Sequence, residues 1–310
     1  MNLSEISGKR VIVTGGAGFI GSHLVDRLAA LQAQVMVIDN FASGKMSNLR
    51  GANVRIARGD ISQQQVWKVR GIDYVFHLAA GSLLRSFEDP ALDLSVNALG
   101  ALNAMECARK NDAKLVYASS GSVYGNAEEL PTKETSALNP TSPYAVSKLA
   151  GEMYVRMAYR AYGLQTTCLR YFNVYGPRQV LSKKIGVVPI FISRATKNAP
   201  LIVHGSGKQT RDFTYVSDVV DATISAPVAS RARGKVINVG TGRECAVIEL
   251  AKMIIELSNG TSKIVHGPRK AGDIERLCAD IDLALETLGF SPKISLREGI
   301  VRCISDFKAY

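Results

Sequence analysis

Residues 10–24 read RVIVTGGAGFIGSHL, and this stretch decides the fold. The β-branched run VIVT suits a buried strand. The glycines at 15, 18 and 21 suit a tight turn, and from Ile20 onward the apolar residues recur at helical spacing. Strand, glycine turn and helix in that order open a βαβ unit. The same alternation continues outward along the chain. Strands are expected at Arg10–Thr14, Gln34–Asp39, Val54–Ala57, Asp73–Leu78, Lys114–Ser119 and Thr166–Tyr171. Helices are expected at Ile20–Leu31, Ser62–Val69, Leu92–Lys110 and Ser142–Tyr162. Strands this apolar belong to a parallel sheet with helices on both faces. The fold class is therefore α/β, a Rossmann-type doubly wound parallel sheet built from residues 1–175 with a return segment near 213–240. After Gly176-Pro177 the spacing turns irregular. A helix is expected at Val188–Lys197, strands at Leu201–His204 and Val236–Gly240, and helices at Val247–Leu257, Ile281–Leu288 and Leu296–Phe307. Residues 176–310 read as a smaller C-terminal α/β domain that binds substrate and shares a cleft with the first.

Composition bounds the function. Of 310 residues, 46% are apolar and 21% charged, ordinary for a globular protein and far from a disordered or collagenous chain. No apolar run reaches the roughly 18 residues of a membrane span. MNLSEISGKR leads straight into the first strand without a hydrophobic signal core, so a cytoplasmic protein is expected. The net charge of +11 invites a nucleic-acid reading, but the excess is diffuse: residues 1–180 hold 19 basic and 14 acidic side chains, and residues 181–310 hold 19 and 13. A nucleic-acid binder concentrates its basic residues, whereas a spread positive field suits small anionic substrates. The five cysteines are widely spaced with no CxxC pair, and the four histidines form no ligand pattern, so neither a disulfide framework nor a metal site is expected.

The glycine string carries chemistry. Gly15 permits the turn, Gly18 lets the backbone approach a pyrophosphate, and Gly21 allows close packing of helix on strand. The helix N-terminus adds amide donors and a positive dipole end. Asp39 ends the second strand 21 residues beyond Gly18, the place of the acid that binds adenosine ribose hydroxyls. A carboxylate there repels a 2′-phosphate, favouring NAD over NADP. Asp60 and Ile61 follow the third strand and are placed against the adenine, with a helix cap as the equal alternative for Asp60.

Tyr144 and Lys148 stand four apart in SPYAVSKLAGE, on one face of a helix begun by Ser142-Pro143. A phenol with its usual pKa near 10 is a poor base at neutral pH, and a fixed ammonium beside it favours the phenolate. Upstream, YASSGSVYG ends a strand in a hydroxyl-rich loop at the crevice side of the sheet. Ser120 there is placed to bond a substrate hydroxyl beside Tyr144, with Ser119 and Ser122 on either side.

TGGAGFIGSHL, HLAA, YASSGSVYG, PYAVSK, RYFNVYGPRQ and QTRDFTYVSDVV together resemble the extended short-chain dehydrogenase/reductase family, most closely its NAD-dependent nucleotide-sugar epimerases of the UDP-glucose 4-epimerase type. The resemblance covers essentially the whole chain. It implies that Tyr144 takes the proton of the sugar 4-hydroxyl as the carbon is oxidised by NAD, that the 4-keto sugar turns, and that reduction on its other face completes an inversion at C4. Ser120 would relay the proton and Lys148 would tune Tyr144. Phe19, Ile20, Asn40, Ser43 and Gly44 join the expected cofactor contacts, as do Leu78, Ala79 and Ala80 after the fourth strand. Asn97 and Tyr171 would stand at the nicotinamide side. Ser122, Asn173 and Val188 would face the substrate, with Arg211, Arg269 and Asp273 at its nucleotide end.

Two departures narrow the chemistry. Family dehydratases and decarboxylases resemble one another in a carboxylate just before VYG, where this chain has Gly121 and Ser122. Glucuronate epimerases read Thr and a final Arg where RYFNVYGPRQV has Asn173 and Val180, which removes a bidentate partner for a sugar carboxylate. A neutral UDP-hexose is expected, with the N-acetyl forms left open by Leu277. The alternative is another nucleotide-sugar member of the family: a UDP-uronate epimerase, a 4-keto reductase or a dehydratase. Lys270 stands where such epimerases usually carry Arg. In the family the long helices matching 92–110 and 143–162 pair two copies, so a homodimer is expected; no nucleic-acid or membrane partner is.

Overall fold

A computed structural model of the protein describes residues 2–179, 186–269 and 274–308. Seven strands form one parallel sheet: β1 (Arg10–Thr14), β2 (Gln34–Asp39), β3 (Arg55–Arg58), β4 (Tyr74–His77), β5 (Lys114–Ser120), β6 (Thr166–Tyr171) and β7 (Val236–Val239), in the order β7-β6-β5-β4-β1-β2-β3. β4 and β6 are buried along their whole length, as strands covered on both faces must be. Flanking helices are α1 (Phe19–Ala30), α2 (Leu83–Glu88), α3 (Pro90–Leu94), α4 (Gly100–Asn111) and α5 (Pro143–Tyr162). The doubly wound α/β fold expected from the glycine stretch is the one present. The strand order reverses beside β1, and the carboxyl ends of β1 and β4 there open the crevice where such sheets bind ligands.

The second part of the chain holds α6 (Val187–Ala195), α7 (Val216–Ser225), α8 (Val247–Leu257), α9 (Asp282–Leu288) and α10 (Leu296–Lys308). A parallel pair, Leu201–His204 with Ile264–Gly267, lies beside them. β7 returns to the main sheet next to β6. One apolar core runs from Val11 and Phe76 to Phe191, Leu250 and Ile300.

Three segments differ from the sequence reading. Ser62–Val69 yields only a 3-10 turn, Gln64–Trp67, because Trp67 turns inward and its indole N–H donates to the Ile61 carbonyl at 2.8 Å. Leu92–Lys110 is split: α3 passes into a π turn, Ser95–Leu99, before α4 begins. A π turn widens the helix and marks functional sites. VSDVVDATIS was expected as part of the return to the sheet but forms α7, packed on α1. Asp218 accepts the amides of Lys293 and Ile294, both at 3.1 Å, tying α7 to the segment before α10.

Candidate active site

The carboxyl ends of the central strands line a cleft of about 1260 Å³. A single small-molecule site occupies about 300–1,000 Å³, so this one has room for a dinucleotide and a second ligand together.

One wall is the glycine turn. Gly15 has φ +66°, and a Cβ there would lie 2.9 Å from the Ala79 backbone. Gly18 caps α1 without a side-chain bond, leaving first-turn amides as donors for phosphate. A Cβ on Gly21 would meet the Gly15 carbonyl oxygen at 2.1 Å. Asp39 is buried; its Oδ2 accepts the Ala17 amide at 2.9 Å and its Oδ1 the Phe41 amide at 2.8 Å. Each oxygen keeps a lone pair for a ribose hydroxyl, so the cradle fits an adenine dinucleotide. Phe19, Ile20, Asn40, Ser43, Asp60 and Ile61 line the same cleft. Asp60 also caps its own turn, accepting the Ser62 amide at 2.9 Å. Gly44 lies beneath the wall, against Ala17. Leu78, Ala79 and Ala80 form the opposite lip. The amides of Leu78 and Ala79 both donate to Thr14 Oγ1 at 3.1 Å.

The other end of the cleft holds the hydroxyl cluster. Ser142 caps α5 by accepting the Ala145 amide at 3.2 Å, and Pro143 fills the first helical position. That start places Tyr144, Lys148 and Glu152 on successive turns of one face. Ser120 ends β5; its Oγ accepts the Ser122 amide at 3.2 Å and the Ser122 hydroxyl at 2.9 Å, and it shares a hydrogen bond with Tyr144. Lys148 is buried, its ammonium 4.4 Å from the centre of the Tyr117 ring. Burial decides both titrations. It pushes the Lys148 ammonium down to about 7, against the nearby Asp93 carboxylate. It pushes the Tyr144 phenol up to about 12, with the Ser120 hydrogen bond acting the other way. The expected lowering of the phenol by Lys148 is thus outweighed in the protein alone, because desolvation penalises both charged forms.

Behind this cluster is a buried ionic network that sequence reasoning missed. Arg170 grips Glu152 bidentately at 2.9 and 2.6 Å and donates to the Tyr124 hydroxyl at 2.7 Å. Tyr124 in turn donates to Asn238 Oδ1 at 2.7 Å. Ser119 donates to Glu152 at 2.7 Å, so its hydroxyl is committed to the helix although the residue lines the cleft. An arginine inside the otherwise uncharged TTCLRY of β6 was the available signal.

Other expected residues separate. Tyr171, Asn173 and Arg211 line the cleft, the Tyr171 hydroxyl being bonded to Thr223 Oγ1 at 2.6 Å. Leu277 lines it as well, packed with Val123, Tyr124 and Phe172. Asn97 is buried off the wall, accepting the Gly81 amide at 3.0 Å. Val188 packs in the core, and Arg269 is exposed in a pair with Glu275 at 2.8 Å; neither lines the cleft. Asp273, Lys270 and Val180 lie outside the described residues. Asp93, Thr141 and the segment Leu83–Asp89 line the cleft without having been anticipated. Among the described residues no His, Cys, Asp or Glu cluster could hold a metal, and no helix is long and apolar enough to cross a membrane.

The model of the NAD dependent epimerase/dehydratase family matches residues 11–240. A protein of Methanocaldococcus jannaschii described as a putative UDP-glucose 4-epimerase is 39% identical over 96% of this chain and 98% of its own length. The structure of UDP-glucose 4-epimerase with UDP-glucose from Thermotoga maritima superposes with a TM-score of 0.93 at 38% identity, covering 97% of this chain and 99% of that one. A UDP-N-acetyl-alpha-D-glucosaminuronate decarboxylase of Bacillus cytotoxicus is 35% identical over 97% of this chain and 98% of its own length.

Proposed function

We propose that this chain, which belongs to the NAD dependent epimerase/dehydratase family, inverts C4 of a neutral UDP-hexose through a transient 4-keto sugar. UDP-glucose and UDP-galactose are the first candidates and their N-acetyl forms the second. NAD, when bound, would supply a reversible two-electron acceptor for the sugar carbon. Tyr144 accepts the 4-hydroxyl proton as the carbon is oxidised and returns it as the carbon is reduced. Ser120 holds O4 and passes the proton, and Lys148 keeps positive potential against the phenol, which burial otherwise leaves too weak an acid. Asp39, Gly15, Gly18 and the first turn of α1 hold the dinucleotide. Asn173 and Arg211, both in the cleft wall, face the diphosphate.

The observation that carries this reading is at Gly121. The position carries no carboxylate, and a Cβ there would sit 3.1 Å from three atoms of the Phe172 ring, which would have to give by a few tenths of an ångström to admit one. Position 122 holds a hydroxyl bonded to Ser120. Hydroxyls beside Tyr144 serve oxidation and reduction at one carbon, and elimination or decarboxylation would need more. The test against a 4-keto reductase is optical. During conversion of substrate the absorbance of reduced nicotinamide should stay flat; its steady consumption would overturn the proposal.

The proposal includes a cytoplasmic location, in keeping with five free thiols that a reducing compartment preserves, and a homodimer. Val146, Met153 and Tyr154 leave an exposed apolar stripe on α5, with Leu99 exposed nearby at the start of α4. Met153→Glu is expected to convert a dimer into a monomer in sedimentation velocity. An unchanged sedimentation coefficient would remove α5 from the interface.

A further inference from the structure

Tyr124 closes the turn that begins at Ser120, and its side chain is fully buried. Its hydroxyl accepts from Arg170 at 2.7 Å and donates to Asn238 Oδ1 at 2.7 Å. Asn238, buried in β7, spends its amide nitrogen on the carbonyls of Thr132 at 2.9 Å and Asp280 at 3.3 Å. With that nitrogen committed to two acceptors, the oxygen is left to face the phenol, and the phenol oxygen takes the guanidinium. Donors thus meet acceptors in one orientation along a chain from Glu152 of α5 through Arg170, Tyr124 and Asn238 to the backbone at Asp280.

That far segment is a wall of the cleft. Leu277 lines it and shares an apolar cluster with Val123, Tyr124, Phe172 and Ala279, whereas Tyr124 lies behind the wall rather than in it. The Thr132 amide donates to Cys278 at 2.8 Å, the Asp280 amide to Thr132 at 2.9 Å and the Ala279 amide to Asp212 at 3.2 Å. Those bonds tie the segment to its far neighbours. Among the described residues two hydrogen-bonded links run from it toward the turn of Ser120 and Ser122. One is exposed, from the Glu275 amide to Asn126 at 2.7 Å; the other is buried and passes through Tyr124. A buried partner left unsatisfied costs more than one that water can reach.

We propose that Tyr124 is a positioning residue for the sugar end of the cleft: its ring packs behind Leu277, and its hydroxyl, held between Arg170 and Asn238, fixes how far that wall stands from Ser120 and Ser122. The room for the sugar's substituents is then set from behind, by a bond chain rooted in the catalytic helix.

The inference rests on the reading of Ser120 and Tyr144 as the sugar end, and one arm of its test needs no turnover. Tyr124→Phe removes a single oxygen and keeps the ring. In this variant the amides of Ala279 and Asp280 should exchange with solvent about 3–10-fold faster, the worth of one buried hydrogen bond, while those of β5 keep their wild-type rates. Uniform acceleration, or none, would overturn the proposal, since a merely stabilising hydroxyl makes no difference between the two segments. In turnover, the ratio of kcat/KM for UDP-N-acetylgalactosamine to that for UDP-galactose should rise by a similar factor. Leu277→Ala should raise the same ratio, and adding Tyr124→Phe to it should raise it no further, because the hydroxyl acts through that wall. A ratio unchanged by Tyr124→Phe, or effects that multiply in the double variant, would contradict the proposal. Asn238→Ala cuts the chain on the far side of the phenol and should give the same pattern if the Phe variant folds poorly. A selective rise in exchange in a protein that converts neither sugar supports the proposal and counts against the substrate alone.

Discussion

Tyr144→Phe is expected to lower kcat for UDP-hexose inversion by about 10²–10⁴-fold, the range that a positioned general acid–base contributes, with KM changed by no more than a few-fold. The substitution removes one oxygen from a partly buried ring and leaves the Ser142 cap and Pro143 start of α5 untouched. Packing therefore survives, and only the proton carrier is lost. Lys148 does not take its place, because its ammonium is buried over the face of the Tyr117 ring, 4.4 Å from its centre. The Ser120 hydroxyl is a relay without a sink once the phenol is gone. Steady-state kinetics on the two proteins checks this. A Phe variant with wild-type kcat would move the base elsewhere in the cleft.

Gly21→Ala should abolish cofactor retention. The new methyl would lie 2.1 Å from the Gly15 oxygen, 2.8 Å from the Gly15 carbonyl carbon and 2.9 Å from Gly16 Cα. All three are backbone atoms, so no side-chain rotation relieves the contact, and α1 must shift relative to β1. That shift displaces the first-turn amides from the phosphates, and a misplacement of about 1 Å costs on the order of 100-fold in a preorganised site. Measured by ultraviolet absorbance after denaturation, NAD content of the purified variant should fall to a trace, and added NAD should rescue little. Gly289→Ala is the control. It meets nothing within 4 Å at the C-terminus of α9 and tests only the strain of a left-handed residue.

Much of the site was written in local signals. The glycine spacing, Asp39 at a strand end and the i, i+4 pair in α5 are each fixed by geometry within a dozen residues, and the cleft gathers all of them. What escaped notice depends on distant partners. Asp93 looked like one acid in an ordinary amphipathic stretch, and only the π turn after α3 brings it under Ser147. Arg170 and Glu152 lie 18 residues apart on successive elements, and their pairing exists only once α5 packs against β6. The failures of placement have the same origin. Val188 lies in α6 with its side chain in the core, and Arg269 follows the strand Ile264–Gly267 exposed to solvent; which way each faces depends on how the second part of the chain folds back. The Lys148–Tyr144 spacing was right, but its electrostatic consequence needed the burial of both groups, a property of the assembled core.

The most direct test of the account is proton NMR at equilibrium after incubating the purified protein with UDP-galactose and, separately, with UDP-N-acetylgalactosamine, without added NAD. The account predicts conversion of UDP-galactose to its gluco epimer by retained cofactor, and the second rate measures what Leu277 allows beside the sugar. If neither sugar is converted even when NAD is supplied, the neutral-hexose assignment is contradicted and the substrate must be sought among acidic or deoxy nucleotide sugars.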